Sequence, residues 1–164
     1  MSAVLGLAAL SAHACSPSRS VENGRPDRNP FVGAWVITRV SVTDPAGTTV
    51  NDSPEPGLYV FTDRYFSNML IPGAERAPFS PERTDDERLA AYDNFIADAG
   101  TYEYTATTLT ARNIIAKVPN VMPPRASDPV TYHWRFDGEV LVLTLRGAWA
   151  PADGSITYTL SRRD

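Results

Sequence analysis

The stretch NPFVGAWVITRV, Asn29–Val40, sets a tryptophan two residues after a glycine, where a proline-punctuated polar segment gives way to an alternating strand. From Gly33 onward the chain runs on as short alternating segments bounded by turn residues, the pattern of half-buried β-strands. Eight strands are expected: Ala34–Thr43, Leu58–Thr62, Tyr65–Ile71, Thr101–Ala106, Leu109–Val118, Val130–Phe136, Val140–Arg146 and Ile156–Arg162. One stretch breaks the pattern. TDDERLAAYDNFIADAG, 84–100, carries Thr84 and Glu87 at capping-box spacing and closes on Gly100. Its apolar residues Leu89, Tyr92, Phe95, Ile96 and Ala99 recur at helical spacing and predict a helix packed against the sheet.

The lengths of the connections then decide the architecture. Asp137-Gly138 reads as a two-residue hairpin, and the turns near Asp63 and Thr107 are about as tight. The other links are long: DPAGTTVNDSPEPG, the proline-rich segment with the helix, PNVMPPRASD and GAWAPADGS. If consecutive strands are antiparallel, the tight turns fall at one end and the long links at the other. That is the plan of an all-β, eight-stranded up-and-down barrel with a helix between its third and fourth strands; closure removes the exposed edges a flat sheet would leave. An interior of this size is filled by side chains or holds one small ligand.

In a closed barrel the last strand lies antiparallel to the first, which brings Arg162 or Arg163 beside Trp35. The indole would cap the narrow end, a guanidinium over its face would add a cation–π contact of roughly 0.5–2 kcal/mol, and Gly33 has no side chain to obstruct it. Gly33, Trp35 and Arg162 are therefore the expected barrel floor. The Gly33-Ala34-Trp35 triplet with Arg162 resembles the signature of the lipocalins and their calycin-type relatives. The run from FVGAWVITRV through GLYVFTDRYFSNML, ERLAAYDNFIADAGTYEYT and YHWRFDGEVLVLTL is similar to the bacterial lipocalin-like domain family over almost everything after Asn29. The resemblance implies a barrel that binds a ligand, or, as in some related barrels, a cyclase or isomerase; the fold alone does not choose.

Strand parity supplies candidate site residues. Stepping by two from the hairpin puts Tyr132, Trp134, Phe136, Leu141, Leu143 and Leu145 on the inner face and His133 outside. A turn centred on Ala106 and Thr107 aligns Tyr102 and Tyr104 with Leu109, Ala111 and Asn113, so that polar tips enter an apolar interior, satisfied by one another or by a ligand. Arg39 shares the parity of Trp35. In an unbroken strand it faces inward to meet a ligand carboxylate; a register shift would turn it outward, since Val36, Val40 and Val42 make an equally apolar opposite face. In the second and third strands, Tyr59, Phe61, Phe66 and Asn68 compete with Leu58, Val60 and Met69 for the inner face. Phe79, Met122 and Trp149 lie in the long links, where they would rim the mouth. The expected ligand-binding set is thus Arg39, Tyr102, Tyr104, Asn113, Tyr132, Trp134, Phe136 and Leu143.

A chain of 164 residues with a net charge of −4 suits one domain with one core. The absence of a Lys/Arg block argues against nucleic acid or an anionic membrane surface as partner. With two histidines and one cysteine, neither a metal site nor another cofactor is expected. His133 is an outward residue and no Ser/His/Asp set is apparent, so no catalytic residue is assigned. The carboxylates of 84–100 read as a solvated helix face, and Asn51-Asp52-Ser53 as an idle sequon.

At the N-terminus the apolar run AVLGLAAL, followed by Ala12, His13 and Ala14, reads as a secretory signal cleaved before Cys15. It resembles a bacterial lipoprotein signal, which implies acylation of Cys15; the alternative is plain secretion with a free thiol. The expected organisation is a signal peptide over 1–14, a disordered Pro/Ser-rich tether over 15–30, and a barrel domain over 31–164. These features point to a secreted or periplasmic protein, membrane-anchored only through an N-terminal lipid, that binds a small hydrophobic or amphiphilic molecule. A cofactor-free cyclase or isomerase and a fully packed interaction module are the alternatives. Ligand identity and oligomeric state are not encoded in any motif.

Overall fold

Eight antiparallel strands close on themselves in the structure, a computed structural model describing residues 29–73, 75–123 and 129–163. The signal-like segment and Cys15 lie outside the described residues. The strands are β1 (Gly33–Asp44), β2 (Gly47–Asn51), β3 (Gly57–Phe61), β4 (Tyr65–Leu70), β5 (Ile96–Tyr104), β6 (Thr108–Ala116), β7 (Val130–Asp137), β8 (Val140–Leu145) and β9 (Ser155–Arg163). The helix α1 spans Asp85–Asp93, and a 3₁₀ turn spans Pro119–Val121. β3 to β9 pair in sequence order, and β1 pairs with β3 on one edge and β9 on the other. The up-and-down barrel expected from the connection lengths is therefore present.

β1 is long enough to serve two purposes. Its first residues, Gly33–Val36, pair with β3, and its last, Val40–Asp44, form a hairpin with β2 beyond the rim of β3. β2 lies in a stretch expected to be a loop. All five of its residues are exposed, so it lacks the alternation that marks a half-buried strand and depends on pairing with β1. The turn before it is set by Asp44, whose carboxylate accepts from the amides of Ala46 and Gly47 at 2.8 and 3.1 Å.

The floor closes as the sequence suggests. Trp35 pairs with Arg162, whose guanidinium carbon stands 4.2 Å from the indole centroid. Arg162 also donates to the carbonyls of Val32 and, at 2.8 Å, Pro30, and the Trp35 Nε1 donates to the Phe31 carbonyl at 2.7 Å. Gly33 has φ 138°, a conformation that favours glycine, and the missing Cβ, which would stand 2.5 Å from an Arg162 nitrogen, leaves the guanidinium its place.

Two helix and strand boundaries differ from expectation. The capping box is present, with Thr84 and Glu87 exchanging hydrogen bonds, but α1 ends at Asp93 with Asn94 as its cap. Phe95, Ile96 and Ala99 therefore do not belong to the helix, and Ile96–Tyr104 is strand. Leu89 and Tyr92 are exposed, and no residue of α1 is buried, so the helix does not lay an apolar face on the sheet. The β7–β8 turn places Gly138 and Glu139 between the paired residues Asp137 and Val140, one residue later than expected. Each partner shifts by two, so the inner face is unchanged: Phe136 meets Leu141, Trp134 meets Leu143, and Tyr132 meets Leu145.

Candidate functional site

The lower half of the barrel is solid. Phe31, fully buried, rises into it from the segment before β1, with ring centroids 5.0 Å from Trp134, 5.1 Å from Tyr104, 5.8 Å from Phe61, 6.1 Å from Tyr102 and 6.2 Å from Phe136. Asn29 secures the same corner: its amide donates to the Tyr102 hydroxyl at 2.7 Å, and that hydroxyl donates to the Thr62 carbonyl at 2.6 Å. Asn29 and Pro30 thus make contact with the barrel.

This packing corrects most of the expected ligand-contacting set. Tyr102, Trp134 and Phe136 belong to the aromatic plug, and Leu143 is fully buried core. Tyr104 touches Phe31 but is 42% exposed beneath the barrel. Arg39 faces outward, paired with Asp52. The cause is a bulge: Ile37 pairs with Leu160 and Arg39 with Thr159, leaving Thr38 as an extra residue that reverses the parity of everything after it. Of the eight, Asn113 and Tyr132 line the open part of the interior.

That space occupies the upper half of the barrel, a cavity of about 380 Å³ opening at the long-loop end. Leu70, Ile96, Val130, Leu145 and Ile156 give it an apolar wall, and Trp149 stands at its rim. Phe79 and Met122 do not line it; Phe79 lies in a separate depression against α1. β3 and β4 resolve the inner face in favour of Tyr59, Phe61, Phe66 and Asn68, all buried, with Val60 and Met69 exposed.

Polar groups gather in this cavity. Tyr59 stands beside Tyr132 and Tyr158, and burial, followed by the proximity of those two phenols, pushes the Tyr59 phenol well above its usual range. Burial likewise raises Tyr132 and Tyr158. All three remain neutral at physiological pH and can both donate and accept. Asp98 lines the same cavity. It is directly opposite Asn68 in the β4–β5 ladder, which has no bulge, so both face inward. Partial burial pushes the Asp98 carboxyl up, against a hydrogen bond from Asn68 and the charge of Lys117. Lys117 itself is directed at the helix: its ammonium donates to the Tyr92 carbonyl and stands 4.1 Å from the Tyr92 ring centroid, while the Tyr92 hydroxyl donates to the Lys117 carbonyl at 3.1 Å.

Sequence reasoning missed Asp98, Lys117 and Tyr158. Asp98 was hidden by the overlong helix; the alternation Ile96, Asp98, Gly100, Tyr102 is the signal that reveals it. Gly100 marks the strand as well, because a Cβ there would overlap the Arg112 carbonyl oxygen at the bulge between β5 and β6.

No protein-family model and no curated protein matches the sequence. Among solved structures, a lipocalin-like protein from Bacteroides uniformis is similar at a TM-score of 0.45 and 10% identity, over 82% of this chain and 99% of its own. An uncharacterised protein from Bacteroides eggerthii gives 0.44 and 9%, over 81% and 99%. Similarity at this level carries nothing about what the cavity holds.

Proposed function

We propose that the protein binds one small amphiphilic molecule in the upper half of its barrel, as a carrier or sequestering protein of the cell envelope. The observation that supports this reading is the cavity of about 380 Å³, at the small end of the roughly 300–1,000 Å³ range of ligand sites, with an apolar wall and a few convergent polar groups. Burial of ligand methylenes at roughly 0.8 kcal/mol each supplies non-directional affinity, and the phenols orient the head. The signal-like N-terminus supports the envelope location and a lipid on Cys15; the intact mass of membrane-fraction protein should correspond to a chain beginning at an acylated Cys15.

Native mass spectrometry of the full chain, alone and with added amphiphiles, tests the binding. Retention of one ligand per chain is expected. Failure to retain any, at concentrations well above micromolar, rejects the reading. The second reading, a cofactor-free isomerase or cyclase, is favoured by one observation: a carboxyl of raised proton affinity faces the same space as three neutral phenols. It requires that recovered ligand change its chromatographic retention without changing mass, and that Asp98→Asn abolish the change.

A further inference from the structure

We propose that the cavity selects amphiphiles whose head donates hydrogen bonds to Asp98, a primary ammonium above all, and disfavours free carboxylates. The proposal rests on the binding reading above and specifies its ligand class. Its basis is where the charges lie. Arg39, the residue expected to meet a carboxylate, is on the outside with Asp52. Inside, the described residues of the cavity wall include two acids, Asp93 and Asp98, and one base, Lys117. That base donates to the Tyr92 carbonyl and stacks on the Tyr92 ring, and acts on Asp98 only as a charge across a gap.

Asp98 is under-supplied by comparison. A carboxylate has about four acceptor positions, and among the described residues Asn68, directly opposite in the ladder, is the side-chain donor acting on it. A partly desolvated acid with unused acceptors gains most from a ligand that brings both donors and positive charge. A carboxylate head in the same place would set like charges together in a medium poorer than water at screening them. Tyr59, Tyr132 and Tyr158, which line the same cavity, reinforce the choice, since phenol oxygens accept from an ammonium and phenol faces attract a cation.

The test compares decylamine, decanol and decanoate, which share one tail length, on the full chain at neutral pH below their micelle concentrations. Binding is read by tryptophan fluorescence, with Trp149 at the rim as reporter, and by native mass spectrometry. The amine should bind about tenfold or more tighter than the alcohol, the size of one charge-assisted hydrogen bond, with decanoate the weakest of the three. In Asp98→Asn the amine-to-alcohol ratio should collapse toward one. Decanoate binding as tightly as decylamine, or an unchanged ratio in the variant, overturns the head-group inference while leaving the cavity reading intact. Failure of all three to bind overturns both. The three-ligand series on the wild-type chain decides the question even if the variant does not fold.

Discussion

Phe31→Ala tests whether the barrel floor is a packed plug. The side chain is fully buried among five aromatic rings, and the strands carrying those rings are tied in register around the barrel. A site so constrained cannot collapse on the space left behind, so the loss should fall in the upper part of the roughly 3–5 kcal/mol typical of Phe→Ala in a core. For a domain of this size that corresponds to a fall in Tm of about 10 °C or more. The Phe31 carbonyl that receives the Trp35 indole is backbone and survives the substitution, so the loss reports ring packing rather than a broken hydrogen bond. Equilibrium urea unfolding followed by circular dichroism gives the value, with an unchanged m confirming that the same surface is exposed. Phe79→Ala, at a position 48% exposed, should change stability by no more than about 0.5 kcal/mol. A loss below about 1.5 kcal/mol for Phe31→Ala would show that the floor is not packed as described.

Three further outcomes are expected. Arg162→Lys keeps the charge but loses the planar fork that reaches two carbonyls while lying over Trp35, and should cost about 1–2 kcal/mol in urea unfolding; full retention of stability would contradict that role. Arg39→Ala should leave stability within about 1 kcal/mol and ligand affinity unchanged, because its pair with Asp52 is solvent-exposed; a large loss of affinity would restore the inward reading. Asp98 has its carboxyl raised by burial, so the folded state holds that proton more tightly than the unfolded chain. Stability is then lost as pH rises through the folded pKa, and Asp98→Asn should gain on the wild type toward neutral pH and converge with it toward the ordinary carboxylate range; parallel stability curves across that window would refute the assignment.

Closure of the barrel was legible because it depends on residues with one workable place: a glycine, an indole and a terminal guanidinium that must meet if the ends meet. The inner face of β7 and β8 was legible because alternation survives a shift of the turn by one residue. Other features leave weaker marks. The start of α1 is written in Thr84 and Glu87, but its end is not, since Phe95 and Ile96 satisfy helical and strand periodicity equally well until Gly100 and Tyr102 are included. That ambiguity concealed the one carboxylate facing both the cavity and Asn68. The bulge at Thr38 has no distinguishing residue, yet it turns Arg39 out. Phe31, between Pro30 and Gly33, belongs to no periodic run, so nothing local announces that it fills the lower barrel and converts Tyr102, Trp134 and Phe136 from pocket wall into core.

The division of one barrel into a packed floor and an open upper chamber is the claim from which the rest follows. Methyl-resolved NMR of the full chain, titrated with decanol, tests it most directly. Intermolecular contacts should appear at the methyls of Leu145 and Ile156, which line the chamber, and be missing at Leu141 and Leu160, which are fully buried below it. Contacts at Leu141 and Leu160, or at none of the four, would contradict it.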